Sequence, residues 1–151
     1  MVTSIDQRKE APNRLATIIG DYGMPVYSMD TAKPVKDEVG DAFTKGLKAR
    51  GLLAEPSAPL RLVLTIRKFD ADMIFGSTAR IDMTVSVIDG SGRSVFEQTL
   101  VDSTSDFAMF KVGIYADIRD LQRMCQTVLD RTVDKVLDNP AFRAALGAHG
   151  V

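Results

Sequence analysis

The chain reads as an α+β domain of two layers. An antiparallel sheet of three to four strands carries two helices on one face, in the order β-α-β-β-β-α. Three observations predict this. Residues 60–100 alternate apolar and polar side chains in runs broken by turn residues, the pattern of an antiparallel meander with one wet face. Residues 30–51 and 114–138 repeat apolar residues at i, i+3, i+4 and i+7, the period of helices that bury one stripe. Elements with one apolar face each are satisfied most economically when the helices lie together on one side of the sheet.

A length of 151 residues suits one domain, expected here over residues 14–147. At this size roughly 68–70% of the unfolded chain's surface is buried, so a single core holds without metal or disulfide staples. The opening "MVTSIDQRKEAPNR" is polar, contains Pro12 and shows no period. Residues 1–13 are therefore expected to form a flexible tail, as are residues 148–151 at the other end.

The elements follow in order. "RLATIIGDYGMPVYSM" suggests a short strand at 15–19 and another near 25–29, punctuated by Gly20 and Gly23. "DTAKPVKDEVGDAFTKGLKARG" is the clearest helix, with Val39, Ala42, Phe43, Gly46 and Leu47 on one stripe. Pro34 fits its first turn and Gly51 the left-handed residue past its end. Acidic residues lead and basic residues trail, which complements the helix dipole. "LRLVLTIRKFDAD" alternates until Arg67-Lys68, where a phase slip predicts a bulge. "STARIDMTVSVID" turns Ala79, Ile81, Met83, Val85 and Val87 inward, and "RSVFEQTLVDSTS" places Phe96 and Leu100 on one side. A helix over 114–138 follows. Asn139-Pro140 stops it and can start a short further helix docked by Phe142 and Leu146.

Candidates for chemistry are few. Asp89-Gly90-Ser91-Gly92 lies between two strands, where a hairpin needs residues tolerant of positive φ; a phosphate-binding loop would feed a helix instead. The sole histidine, His149, lies in the expected C-terminal tail and offers no rigid catalytic base. Asp70 and Asp72 share an Asp-x-Asp spacing common at strand ends. Asp130, Asp134 and Asp138 form a flat row along the last long helix, with Arg131 placed to pair with Asp134; a metal shell needs ligands that converge from several directions. Cys125, the sole cysteine, sits on an apolar stripe and reads as a small buried hydrophobe. With 19 basic and 20 acidic residues, the chain has no electrostatic footprint for nucleic acid. No cofactor or metal site is expected. "FAMFKVGIY" is apolar without a clean period. Phe107, Met109, Phe110 and Tyr115 are read either as core or as an exposed lip that meets a partner protein or lipid.

Read together, "VGDAFTKGLKARGLLAE", "LRLVLTIRKFDADMIFGSTARIDMTVSVIDGSGRSVFEQTL" and a long helix ending "VDKVLDNPAF" resemble small bacterial envelope lipoproteins. The types are the YajG-like lipoproteins and the auxiliary lipoproteins of ABC-type transport. The shared plan is a helix ending at Ala49-Arg50-Gly51, an "FG" between strands, a "D-x-x-G" hairpin and a C-terminal helix pair, over about residues 24–146. The resemblance implies an exported protein held by a lipidated cysteine at the inner leaflet of the outer membrane, acting in the periplasm by binding rather than catalysis. Its partner would be a protein or a lipid-transport complex. The chain departs from that pattern in having neither an apolar signal-peptide core nor a cysteine near its start, so a cytoplasmic location stays open. Two other readings stay open beside the non-catalytic adaptor: a small carboxylate-based enzyme using a divalent metal, and a subunit of a homo-oligomer.

Overall fold

The computed structural model describes residues 1–19, 25–52, 60–72, 77–106 and 118–147. It is α+β, and its sheet corrects the expectation of three to four antiparallel strands with two helices. Six strands form one mixed sheet, β1 (Val2–Asp6), β2 (Arg14–Ile19), β3 (Pro25–Asp30), β4 (Arg61–Asp72), β5 (Ser77–Ile88) and β6 (Ser94–Asp106). Among the described residues three helices accompany them, α1 (Val35–Ala49), α2 (Ile118–Leu137) and α3 (Pro140–Gly147). The sheet runs β3-β2-β4-β5-β6, and β1 also pairs with β4.

The meander β4-β5-β6 follows its alternation closely. Along β5, Ala79, Ile81, Met83, Val85 and Val87 are buried, while Arg80, Asp82, Thr84 and Ser86 between them are half-exposed on the open face. That open face is laced by cross-strand pairs. Arg67 donates to Asp82 and to Thr84 Oγ1, Arg80 reaches Asp70 and Asp72, and the Thr84 and Thr99 hydroxyls lie 2.9 Å apart. The predicted bulge stands between Ile66 and Lys68. It absorbs one residue, so that Leu62, Leu64 and Ile66 before it and Phe69 and Ala71 after it all face the helices.

The free edge of β4 is where the expectation fails. Residues 1–13 were expected as a tail, yet β1 lies parallel to β4 from Val2↔Leu62 to Asp6↔Ile66. The chain then leaves the edge, and β2 rejoins it, also parallel, at Ala16↔Ala71. One interrupted strand thus flanks β4, with its break opposite the bulge. Arg8 fills that break, its side chain wholly buried. Its guanidinium donates to both Asp6 oxygens at 3.0 and 2.8 Å and to the carbonyls of Arg14 (2.7 Å), Pro12 (3.1 Å) and Phe69 (3.4 Å). Five bonds match the five N–H groups of a guanidinium. They occupy carbonyls that a continuous ladder would otherwise have paired. The Pro12 carbonyl also accepts the Val35 N–H at 2.9 Å, so the same loop satisfies an orphan donor of α1, whose Pro34 cap offers no side-chain bond. Five polar-leaning residues carry too little period to announce a strand; what holds them is a partner sixty residues away.

The helices cover one face of the sheet. Val35, Val39, Phe43 and Leu47 of α1 are buried, as are Leu121, Cys125, Val128, Val133 and Val136 of α2. Side chains as fully buried as Phe43, Leu64, Ile81 and Met83 contribute roughly 1.5–3 kcal/mol each. α1 ends in a Schellman motif, Leu52 N–H to Leu47 C=O and Gly51 N–H to Lys48 C=O, with Gly51 at φ 66°. Asn139 caps α3 by accepting the Ala141 N–H at 2.8 Å. Phe142 of α3 then packs edge-on against Phe96, ring centroids 5.3 Å apart. Among the described residues no buried side-chain polar atom lacks a partner, and no helix is long and apolar enough to cross a membrane.

Candidate functional site

α1 and α2 run side by side with their C-terminal ends together. Near the C-terminal ends the helices touch at Gly46. A Cβ at Gly46 would stand 2.7 Å from Leu137 Cδ1 and 2.8 Å from Val133 Cγ1, so only a bare backbone permits this approach. Arg50, the C-cap of α1, closes the same end. It donates to Asp134 at 2.7 Å and to both oxygens of Asp138 at 3.0 Å. Asp138 accepts in turn from Arg143 of α3 at 2.6 Å. The cation also sits where the carbonyl ends of both helix dipoles converge.

Beside that contact, from Glu38 to Arg50 along α1 and from Gln122 to Asp134 along α2, the helix pair borders a cleft of about 720 Å³. Leu15 of β2, Met29 of β3 and Phe69 of β4 line its sheet side, and Ala42, Leu129 and Val133 its helix walls. The rim is charged and weighted toward acid: Asp30, Glu38, Asp41, Asp130 and Asp134 against Lys45 and Arg50. Asp30 pairs with Arg14, Asp41 with Lys33, and Asp134 with Arg50. Asp130 accepts from Gln126 at 2.7 Å. A cavity of this size with an apolar floor and a few polar groups is the usual form of a binding site.

The resolved ionisation shifts on the rim, and at Asp138 beside it, all run away from neutrality. The hydrogen bond from Lys33 holds Asp41 below the usual carboxylate range, and that from Arg50 does the same for Asp138. The hydrogen bonds that Arg50 donates to Asp138 and Asp134 raise its own pKa. Such groups are fixed charges, suited to recognition rather than to proton transfer near neutral pH.

The residues singled out in the sequence are scattered. Asp89 sits in the β5–β6 turn, where its carboxylate accepts the backbone N–H groups of Ser91 and Arg93 at 2.9 and 3.0 Å. The Ser91 hydroxyl, with those N–H groups, holds it at about 2. Gly92 supplies the positive φ of 85°, so the stretch is a bend. Asp70 and Asp72 face Arg80 on the open side of the sheet. The Asp130-Asp134-Asp138 row is divided among Gln126, Arg50 and Arg143. Arg131 does not pair with Asp134 as the helical spacing suggested. It turns to Asp102 of β6, at 2.7 and 2.9 Å, a carboxylate it shares with Lys135, while Asp134 accepts from Arg50. Cys125 is buried, and burial first, with the charge of Asp70 second, pushes its thiol up to about 12, the opposite of a nucleophile's requirement. Among the described residues no three acidic, cysteine or histidine side chains converge to hold a metal ion. His149 and the segment with Phe107, Met109, Phe110 and Tyr115 lie outside the described residues.

The cleft itself and the Arg8 plug were not read from the sequence. Gly46 on an otherwise apolar stripe was the one local signal of close helix approach.

The family model described as an uncharacterized lipoprotein matches residues 1–147. No curated protein matches the chain in sequence. Among solved structures, protein XCC0632 from Xanthomonas campestris, of the family model DUF330, superposes with a TM-score of 0.68 at 13% identity, over 96% of this chain and 84% of that one. A minor lipoprotein from Acinetobacter baumannii does so with a TM-score of 0.52 at 14% identity, over 76% and 89%. At these identities the likeness is one of fold. A PelC dodecamer from Paraburkholderia phytofirmans aligns at a TM-score of 0.44 and 11% identity, over 86% and 85%, too loosely to bear on how this chain assembles.

Proposed function

We propose, from the premise that this chain belongs to the uncharacterized lipoprotein family, that it is a non-catalytic binding domain of the bacterial cell envelope. Its cleft between α1 and α2 receives a cationic, amphipathic segment of a partner protein. The observation that carries this reading is an apolar floor under a rim where Arg14, Lys33 and Arg50 already engage Asp30, Asp41 and Asp134, and Glu38 and Asp130 are the acids left to meet a basic side chain. Apolar side chains of the ligand would leave water against Leu15, Met29 and Phe69, and its basic residues would meet the rim. A phosphate-bearing lipid head would meet Glu38 and Asp130 there, like charges that oppose it. The apolar segment 107–115, with Phe107, Met109, Phe110 and Tyr115, is proposed on sequence grounds as an additional contact. Location at the periplasmic face of the outer membrane is part of the same proposal, and membrane fractionation of the native cells tests it.

The cleft is tested by placing a photo-crosslinking amino acid at Gln126, on the cleft wall, and at Thr84, on the open sheet face, in the native cells. A protein adduct from Gln126 that is lost in Ala42→Trp, a variant that fills the cleft without touching the core strands, supports the reading. Equal adducts from both positions, adducts to lipid, or an adduct that Ala42→Trp leaves intact would each remove it. The carboxylate-enzyme alternative is met by a thermal melt with excess magnesium or calcium, where site-specific binding raises Tm with metal concentration.

A further inference from the structure

Independently of the cleft, β6 ends the sheet of the described residues with a strand of thirteen residues, and among the described residues the outer edge of that strand is finished at one end only. At Ser103 the backbone N–H is taken by the Asp102 carboxylate at 2.9 Å and the C=O by Arg131 at 2.7 Å. Residue 103 therefore turns its peptide groups away from β5. In an antiparallel pair successive residues alternate between facing the neighbour and facing outward. The β5–β6 register is unbroken from Ser77↔Asp106 to Val87↔Phe96, so Glu97, Thr99 and Val101 turn theirs outward as well. The contact of the Thr84 and Thr99 hydroxyls at 2.9 Å fits this phase, since side chains approach most closely at pairs that share no backbone bonds. Glu97, Thr99 and Val101 are all exposed. Val101 is 76% exposed, far more than the other strand hydrophobics Ile5 and Tyr27 at 43% and 47%.

An edge that the described residues leave open and that carries β-formers is a template for another strand. In one register its three outward residues pair only with one another. We propose that two copies of the chain pair antiparallel through β6, with Thr99 opposite Thr99 of the second copy on the two-fold axis. Each Val101 then lies against the methylenes of Glu97 of the other copy. The three outward residues of each chain exchange six N–H···O bonds, and pairing stops where Ser103 has already spent its donor and acceptor. A register centred on Val101 instead would need the peptide groups of Ser103. The chosen register also keeps the two Glu97 carboxylates four residues apart along the ladder, so no like charges face each other. The two sheets become one, with their polar faces continuous.

The test is sedimentation equilibrium of the full chain over a wide concentration range. The wild type is expected to show a reversible monomer–dimer equilibrium. Thr99→Pro removes an outward N–H at the axis while sparing the ladder to β5, as proline does on an edge strand. Val101→Glu sets acid against Glu97 of the second copy. Each should weaken the dimer by tenfold or more, with circular dichroism spectra unchanged. Val101→Lys, facing that same Glu97, should hold or tighten it. A wild type that stays monomeric, or a dimer indifferent to Val101→Glu, overturns the proposal. A dimer weakened by Val101→Lys overturns the register, because it would place Val101 against its own copy.

Discussion

Two arginines close gaps in this molecule under opposite conditions. Arg8 lies inside, its side chain inaccessible to solvent, and knits a broken edge strand to β4 and to the first turn of α1. Arg50 lies at the surface and clamps α1 to α2 and α3 through Asp134 and Asp138, whose side chains are about half exposed or more. Both use bidentate or branching geometry, and both could be drawn as similar hubs. The difference is the medium. Inside, each bond Arg8 makes substitutes for one to water that cannot be had, so losing the guanidinium strands a carboxylate and three carbonyls. Outside, water and salt stand ready to replace whatever Arg50 gives up. The number of bonds does not measure what a hub is worth; the solvent waiting behind it does.

The sharpest way to break that comparison is Arg8→Ala. It should cost about 3–5 kcal/mol in urea denaturation, the usual consequence of removing one partner from a buried ion pair. Arg8→Lys should recover little, since one ammonium cannot reach four separate acceptors. If Arg8→Ala costs no more than Arg50→Ala, burial is not the deciding factor.

Next in size is the packed end of the helix pair. Gly46→Val forces side-chain atoms into Leu137 and Val133 and should cost about 2 kcal/mol by overpacking. Adding Leu137→Ala to Gly46→Val should then cost less than Leu137→Ala does alone, a coupling that a double-mutant cycle reads directly.

A smaller effect reads the buried hub by pH. Burial alone would raise the Asp6 carboxyl, but the bonds from the Arg8 side chain and backbone outweigh it and bring it below 3.8. A carboxylate whose folded pKa is depressed stabilises the fold above its unfolded value, and that stability is lost as pH falls through the folded value. Urea midpoints between pH 5 and pH 2 should therefore fall more steeply for the wild type than for Asp6→Asn. Parallel slopes would mean that Asp6 is not tied to Arg8 in solution.

The smallest effect is expected from Arg50→Ala, a loss of roughly 2 °C in Tm at low salt that shrinks further at 1 M salt. A larger, salt-resistant loss would place Arg50 in the same class as Arg8.

Legibility in the sequence followed distance along the chain. The alternation of β5, the bulge after Ile66 and the left-handed Gly51 are set by neighbours within a few residues, and each was readable. The turn at Asp89 to Gly92 was readable for the same reason. β1 was not, because Val2 to Asp6 earn their conformation from Leu62 to Ile66. Arg8 looked like one more charge in a polar stretch, since nothing nearby announces that Phe69 will close over it. The cleft was hidden for a related reason. Leu129 and Val133 continue the helical stripe whether they meet another side chain or a void, and Arg131 could not show from helical spacing alone that Asp102 would outbid Asp134.

The parallel attachment of β1 to β4 also sets an order of events in time. Val2 meets Leu62 only after the intervening sixty residues have been made and brought round. Closing a loop of that length costs roughly 4 kcal/mol of chain entropy by the logarithmic law before any contact repays it. The local meander and α1 are therefore expected to form first, with the N-terminal segment docking last and Arg8 locking it. A ribosome that has not yet released β4 holds a chain whose first strand has nowhere to go.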